Sequence, residues 1–124
     1  MPQEITVSTG LRVLKGKLDY QIATKTTKPD FAGTRVHRTT QNIGFAAHEA
    51  LGVGDLGSAG WASFTNTEAA GGNFVEVGRD VAAAFVPVAK ILPGETAQFR
   101  ASTLLLYAKA DTGAVNLDYM ISEA

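Results

Sequence analysis

The 124-residue sequence contains no cysteine. This absence excludes a disulfide framework, a zinc site built from thiolates and a cysteine nucleophile, and it suits a protein that folds in a reducing cytosol. No apolar run approaches the roughly 18 residues that span a bilayer, so we expect no membrane partner. Charged residues make up 19% of the chain and hydrophobic residues 45%, which is typical of one globular domain and excludes wholesale disorder.

Histidine is scarce, and its placement argues against a metal site. His37 is flanked by the cations Arg35 and Arg38, which would repel a metal ion. His48 has no second histidine at ligand spacing, and a divalent site also needs a carboxylate or a third histidine. Neither residue has a local context that would orient it beside a serine nucleophile. We therefore expect no metal and no cofactor.

Two short motifs resemble catalytic or nucleotide-binding signatures without their context. Residues 52–57 match the G-x-G-x-x-G dinucleotide fingerprint, but the following sequence alternates like a strand, whereas the fingerprint needs a helix there. Asp111-Thr112-Gly113 matches the triplet of aspartic proteases, but it comes too late in the chain and suits an ordinary turn. We predict no catalytic residue and no enzyme activity.

Alternation of apolar and polar residues is the main structural signal, and no amphipathic helix of ten or more residues is predicted. It is clearest near the C-terminus, where we predict a strand with four inward side chains: Val115, Leu117, Tyr119 and Ile121. The apolar run over residues 103–108 predicts a strand covered on both faces. With Asp111-Thr112-Gly113 between them, the two segments predict a hairpin.

The remaining strands are shorter and separated by turn residues. Alternation over Leu18, Tyr20 and Ile22 predicts one strand; residues 81–88 predict another, with Pro87 on an edge or at a bulge. Pro93-Gly94 predicts a type II turn. About eight short strands indicate an all-β fold, an antiparallel β-sandwich of jelly-roll type or a small barrel. We predict one domain over residues 1–124, in which residues 1–40 include an extended basic arm or loop, with residues 23–34 as the candidate segment.

Charge is distributed unevenly between the two parts of the chain. Residues 1–40 hold seven Lys/Arg and three Asp/Glu, a net charge of +4, and residues 41–124 hold four and nine, a net charge of −5. Complementary patches of this kind steer association between neighbours, although a solvated basic edge would look the same. Nucleic acid is a poor partner, because the cations are interleaved with Thr and not with stacking aromatics. The candidate interface residues are Arg12, Lys15, Lys17, Lys25, Lys28, Arg35 and Arg38.

Four aromatic residues raise the alternative of a sugar-binding platform. Aromatic faces bind glycans in lectins, but a β-sandwich of this size also needs large side chains between its sheets, and we favour core packing. The residues are Trp61, Phe64, Phe74 and Phe85.

The second half of the chain resembles a strand-and-turn pattern of small virion proteins of tailed bacteriophages. The pattern covers roughly residues 58–121, and the segments that carry it are 60–66, 73–78, 85–88, 92–95, 106–110 and 115–119. The resemblance implies a β-sandwich that decorates the head surface as a cement protein, assembled in the bacterial cytoplasm. Its implied partners are the major capsid protein and copies of itself, for example as a trimer. A tail or baseplate component that binds host glycan and a small hydrolase remain the alternatives.

Overall fold

The computed structural model describes residues 5–29 and 33–124. Within these ranges all helix and strand structure consists of β-strands, and every strand pair is antiparallel. The chain divides into two compact units, Met1–Ala32 and Gly33–Ala124. The all-β prediction is confirmed, with ten strands where about eight were expected.

The first unit contains a two-stranded hairpin of β1 (Val7–Lys15) and β2 (Leu18–Thr27). Lys15 pairs with Leu18, so Gly16 and Lys17 form a two-residue turn. Gly16 has a φ of +58° at the first central position, which is the position where type II′ turns require glycine. Residues 23–27, which we expected in a loop or arm, complete β2, and residues 30–32 of the same prediction lie outside the described residues.

The second unit is a β-sandwich of two four-stranded sheets. Sheet I has the order β3-β10-β5-β8 and sheet II the order β4-β9-β6-β7. The strands are β3 (Val36–Ile43), β4 (Glu49–Ala50), β5 (Trp61–Asn66), β6 (Val75–Val81), β7 (Ala84–Ile91), β8 (Thr96–Arg100), β9 (Tyr107–Ala110) and β10 (Val115–Ser122).

The core of the sandwich lies between the two sheets, and β10 contributes the largest share. Val115, Leu117, Tyr119 and Ile121 are at most 1% exposed, whereas Met120 on the outer face is 45% exposed. The predicted inward face of this strand is therefore confirmed. Other buried side chains of the same cluster come from every strand of sheet II except β4 and from the neighbouring strands of sheet I, among them Ile43, Ala62, Phe64, Val75, Val77, Ile91, Ala108 and Ala110.

The predicted hairpin between residues 103–108 and β10 is wrong. β9 belongs to sheet II and β10 to sheet I, so the Asp111-Thr112-Gly113 turn carries the chain from one sheet to the other. The backbone explains the separation, because the N–H of Ala110 donates to the Gly44 carbonyl and that of Asp111 to the Phe74 carbonyl. These backbone bonds hold the start of the turn against other segments, and β10 pairs instead with β3 and β5.

The predicted strand over residues 103–108 is also too long, because β9 begins only at Tyr107. The hydroxyl of Thr103 accepts the N–H of Leu105, a local bond that competes with strand pairing. Leu106 points into the core, while Leu105 is 72% exposed. Residues 103–106 are therefore an irregular segment, in which Leu106 is buried and Leu105 is exposed.

The region 81–88 contains a tight turn where we expected one strand. Val81 pairs with Ala84, so Ala82 and Ala83 form a two-residue loop with φ values of +53° and +70°. Both angles lie in the left-handed region, which type I′ turns require and which alanine adopts only at a cost. The expectation for Pro87 is confirmed, since β7 is an edge strand and its register shifts beside this residue.

The type II turn at Pro93-Gly94 is confirmed. The N–H of Glu95 donates to the Leu92 carbonyl at 2.9 Å, and Gly94 has a φ of +81°. A positive φ at the third turn position is the type II signature. The Glu95 carboxylate also accepts the N–H of Leu92 and so holds the same turn from the side chain.

The Glu123 carboxylate joins three segments at the opposite end of the sandwich. It accepts the N–H groups of Thr34, Arg35 and Gly57, each at 3.0 Å. These backbone hydrogen bonds, that of Gly57 first, lower the pKa of Glu123 below its ordinary value. The residue after β10 therefore fixes both the entry into β3 and the loop before β5.

Leu117→Ala should lower the free energy of unfolding by about 2–4 kcal/mol, because the change leaves a cavity between the sheets. Met120→Ala, on the outer face of the same strand, is the matched control and should cost less than about 1 kcal/mol. Urea unfolding measures both. Equal effects of the two variants would contradict the inward assignment.

Ala83→Gly should stabilise the protein by about 0.5–1 kcal/mol, because glycine relieves the left-handed strain by more than it adds in backbone entropy. Ala84→Gly, one residue later and inside β7, should destabilise it, since there glycine only adds entropy to the unfolded chain. Thermal unfolding of both variants distinguishes the effects. A loss of stability in both would show that the turn is unstrained.

Glu123→Gln should destabilise the protein at neutral pH, because the amide nitrogen of glutamine cannot accept the N–H groups that the carboxylate accepts. Since the folded pKa is lowered, this contribution is complete above the ordinary carboxyl pKa and disappears as the pH falls through the folded pKa. The difference between the two proteins in urea should therefore shrink in acid. Asp111→Asn, at a turn that suits either residue, is the control and should change nothing at either pH.

Candidate interaction surface

The β1–β2 hairpin is amphipathic in its outer half. Cross-strand partners share a face, and the pairs Leu11–Ile22, Val13–Tyr20 and Lys15–Leu18 all lie on the same side. Five of these side chains are apolar and form what we call the apolar hairpin face. Their exposed fractions are 62% for Leu11, 48% for Val13, 45% for Leu18, 70% for Tyr20 and 69% for Ile22.

The opposite face of the hairpin is polar apart from Leu14. Arg12 donates two hydrogen bonds to the Asp19 carboxylate, from Nε and Nη2, each at 3.1 Å. Further along the strands, the hydroxyls of Ser8 and Thr26 lie 3.0 Å apart. These contacts fix the register of the two strands without using the apolar side chains, which stay exposed.

A bulge separates the polar base of the hairpin from its apolar half. The pairing passes from Thr9–Lys25 to Leu11–Ile22, so two residues of β2 oppose Gly10 alone. A Cβ atom on Gly10 would lie 2.8 Å from the Thr24 hydroxyl, which explains why glycine occupies this position. Bulges increase the local twist, so the apolar half is rotated relative to the base.

The predicted interface cations are divided between the two units. Arg12, Lys15, Lys17, Lys25 and Lys28 belong to the hairpin unit, and Arg35 and Arg38 to the sandwich. The arginines have partners within their own units: the Arg35 guanidinium donates to the Asp55 carbonyl at 2.7 Å, and Arg38 pairs with Asp118 at 3.3 Å. The lysines flank the apolar hairpin face, Lys15 at its tip and Lys25 towards its base. The interface role of all seven stays a prediction.

Four loops at one end of the sandwich carry acidic and exposed apolar side chains. We call residues 44–47, 67–73, 92–95 and 111–114 the acidic loop end. They contain Glu68, Glu95 and Asp111 and no lysine or arginine. Phe45 is 50% exposed and Leu92 45% exposed in the same loops.

Hydrogen bonds hold these loops together. The buried Asn66 side chain donates to the carbonyls of Asn73 and Ile91 at 2.9 and 3.0 Å and accepts the N–H of Glu68. The Thr112 hydroxyl donates to the Asn73 side chain at 2.7 Å. These bonds therefore fix the loops 67–73, 92–95 and 111–114 relative to one another.

A second polar cluster lies beside β6 and β7. His48 Nε2 lies 2.7 Å from Asp80 Oδ2, and its ring stacks on Phe85 with centroids 5.4 Å apart. The hydrogen bond to His48 is the main cause that lowers the pKa of Asp80 below its ordinary value; desolvation opposes it, and the hydrogen bond from the Ala83 N–H adds a smaller lowering effect. Asp80 also accepts a hydrogen bond from the Ala83 N–H in the strained turn, so the His48–Asp80 pair fixes the β6–β7 turn.

The two motifs that resembled nucleotide-binding and catalytic signatures lie in a loop and a turn. Residues 52–57 form an irregular loop with no helix after it. The Asp111 triplet is a turn packed on Asn73. Among residues 5–29 and 33–124, no group of three or more His, Asp or Glu side chains is placed to hold a metal ion.

The four aromatic residues do not form one platform. Phe64 is fully buried in the core, whereas Trp61 lies on the outer face of sheet I with the Arg100 guanidinium 5.3 Å from its ring. Phe74 lies under the Lys90 ammonium at 4.2 Å, and Phe85 packs on His48.

Sequence reasoning missed the apolar hairpin face as a candidate surface. It predicted a strand from the alternation of Leu18, Tyr20 and Ile22, but it assigned the candidate interface to the basic residues alone. Gly16 between two alternating segments is the signal that predicts a hairpin. That hairpin holds too few residues to bury its apolar side chains alone, which is the signal for an interface.

In the described part of the chain, no helix has the length and hydropathy to cross a membrane. Comparison of the sequence and structure with family models, curated proteins and solved structures finds no match. The function therefore has to be inferred from the apolar hairpin face, the acidic loop end and the arrangement of the two sheets.

Proposed function

We propose that this protein is a structural protein of a tailed-bacteriophage virion, which binds the major capsid shell from outside and stabilises it as a decoration protein. The observation that carries the proposal is the hairpin. A protein that presents five apolar side chains on one exposed face of a two-stranded ribbon needs another surface to cover them. A contact protein of a large assembly meets that need.

We also infer a jelly-roll-like sandwich, the finer fold expected from the sequence. The eight strands of the second unit support it, since their order is first-eighth-third-sixth in sheet I and second-seventh-fourth-fifth in sheet II. Such double-sheet folds are common in viral capsid and lectin domains. The sheet arrangement is thus compatible with the virion role and also with the glycan-binding alternative.

The glycan-binding alternative has less support from the described residues. Carbohydrate platforms need aromatic faces that converge, and the four candidates point to separate surroundings. A hydrolase would need a nucleophile or acid–base pair in a cleft. Among the described residues, the close His–carboxylate pair of His48 and Asp80 holds the β6–β7 turn. A role in assembly fits the exposed apolar surface better than either alternative.

Purified particles of a phage that encodes this chain test the proposal. Quantitative mass spectrometry of separated heads and tails should find the protein in the head fraction, in a fixed ratio to the major capsid protein. Its presence in the tail fraction would favour the tail alternative, and its absence from particles would overturn the virion role.

Rebinding to stripped heads tests the basic residues. The occupancy of the heads by this protein should fall as the salt concentration rises, because charge attraction is screened over about 8–10 Å at physiological ionic strength. Reversing Arg35 and Arg38 to Glu should lower it further, whereas Arg79→Glu, outside the predicted set, is the control. A melting curve of each free variant separates a loss of binding from a loss of folding. Unchanged occupancy of the double reversal at both salts would assign these arginines to a solvated edge.

A further inference from the structure

We propose that the apolar hairpin face of one molecule docks on the acidic loop end of a second copy of this chain. The inference rests on the proposed assembly role and names the contact between copies, which requires no capsid shell. It assigns a partner to two surfaces that are otherwise unrelated in the chain.

The first step concerns the hairpin's own stability. An isolated two-stranded hairpin is marginal in water, because it cannot bury enough apolar surface to offset the entropy of ordering its backbone. Apart from Val7, every residue of β1 and β2 is exposed. The hairpin therefore gains order when its apolar face is covered by another surface.

The second step concerns charge. Residues 1–32 carry five Lys/Arg and three Asp/Glu, a net charge of +2, and residues 33–124 carry six and nine, a net charge of −3. Two hairpin faces packed on each other would bring two cationic segments together, which is unfavourable. A contact between the hairpin of one copy and the sandwich of another brings opposite charges together.

The third step identifies the place on the sandwich. The acidic loop end combines three carboxylates with exposed Phe45 and Leu92. The hairpin offers the converse combination of apolar side chains with Lys15 at the tip and Lys25 towards the base. Both partners therefore combine exposed apolar side chains with charge, and the two charges are opposite in sign. The contact is heterologous, since it joins two different surfaces.

Analytical ultracentrifugation of the full chain, without particles, tests the contact. The wild-type protein should associate as its concentration rises, and Ile22→Ser should weaken this association at least about tenfold. Leu14→Ser is the matched control, because Leu14 is 61% exposed on the opposite face of the same hairpin and should have little effect. A wild-type protein that stays monomeric up to about 1 mM would overturn the proposal.

Charge reversal identifies the docking surface. The hairpin variant Lys15→Glu with Lys25→Glu and the loop variant Glu68→Lys with Asp111→Lys should each associate poorly, since each places like charges across the contact. An equimolar mixture should associate again, because both hairpins then meet loops of opposite charge.

The outcomes separate this proposal from the virion role. A loop variant that still associates like wild type would place the hairpin on another surface, such as a second hairpin, and would overturn the contact proposed here. Head particles that hold the protein while the mixture stays dissociated would support decoration and overturn the self-contact. Restored association with no protein in particles would support the self-contact and overturn the virion role.

Discussion

Strand β10 is the constraint on which the rest of the sandwich depends. It pairs with β3 over eight residues and with β5 over five, and its four inward side chains fill the space between the sheets. Tyr119 extends this role beyond packing, because its hydroxyl donates within 2.6 Å of the Gly52 carbonyl and so holds the loop that follows β4. Burial, as the first cause, raises the pKa of this phenol above its ordinary value, so the tyrosine keeps its donor proton throughout the physiological range. The Glu123 carboxylate, directly after the strand, likewise holds a distant segment, because it accepts the N–H of Thr34.

The two units satisfy the same physical requirement in different ways. In the sandwich, the inward apolar side chains of one sheet pack against those of the other, and the polar Asn66 in the core has hydrogen-bond partners for its amide and carbonyl. In the hairpin, the alternation is equally regular, but no second layer is supplied within β1 and β2. The apolar side chains that would be core residues in a larger sheet are thus available for binding. Alternating strands thus form the core of the sandwich, and strands of the same pattern form the exposed binding surface of the hairpin.

The sequence predicts which face of a strand is buried far better than it predicts the strand's partner. Period-two alternation identifies the inward side of β10, and Pro93-Gly94 and Pro87 carry local conformational signals that the structure follows. The separation of β9 from β10 has no local signal, since it results from hydrogen bonds to Gly44 and Phe74, which are distant in the chain. Ala82-Ala83 was missed because the turn contains no glycine or asparagine. For the candidate surface, charge located the basic segment, but the apolar side chains beside it look like core until the small size of the hairpin is known.

The pairing of β3 with β10 also determines when sheet I can form relative to the hairpin. Residues about 80 positions apart, such as Arg38 and Met120, become direct neighbours, so sheet I is completed only after a large loop has closed. The hairpin, by contrast, needs only the Gly16-Lys17 turn, and such ribbons form within microseconds. During synthesis both strands of the ribbon have left the ribosome long before β10, since about 5–20 residues are added each second. For several seconds a nascent chain therefore exposes the apolar side chains of β1 and β2 before the sandwich can form.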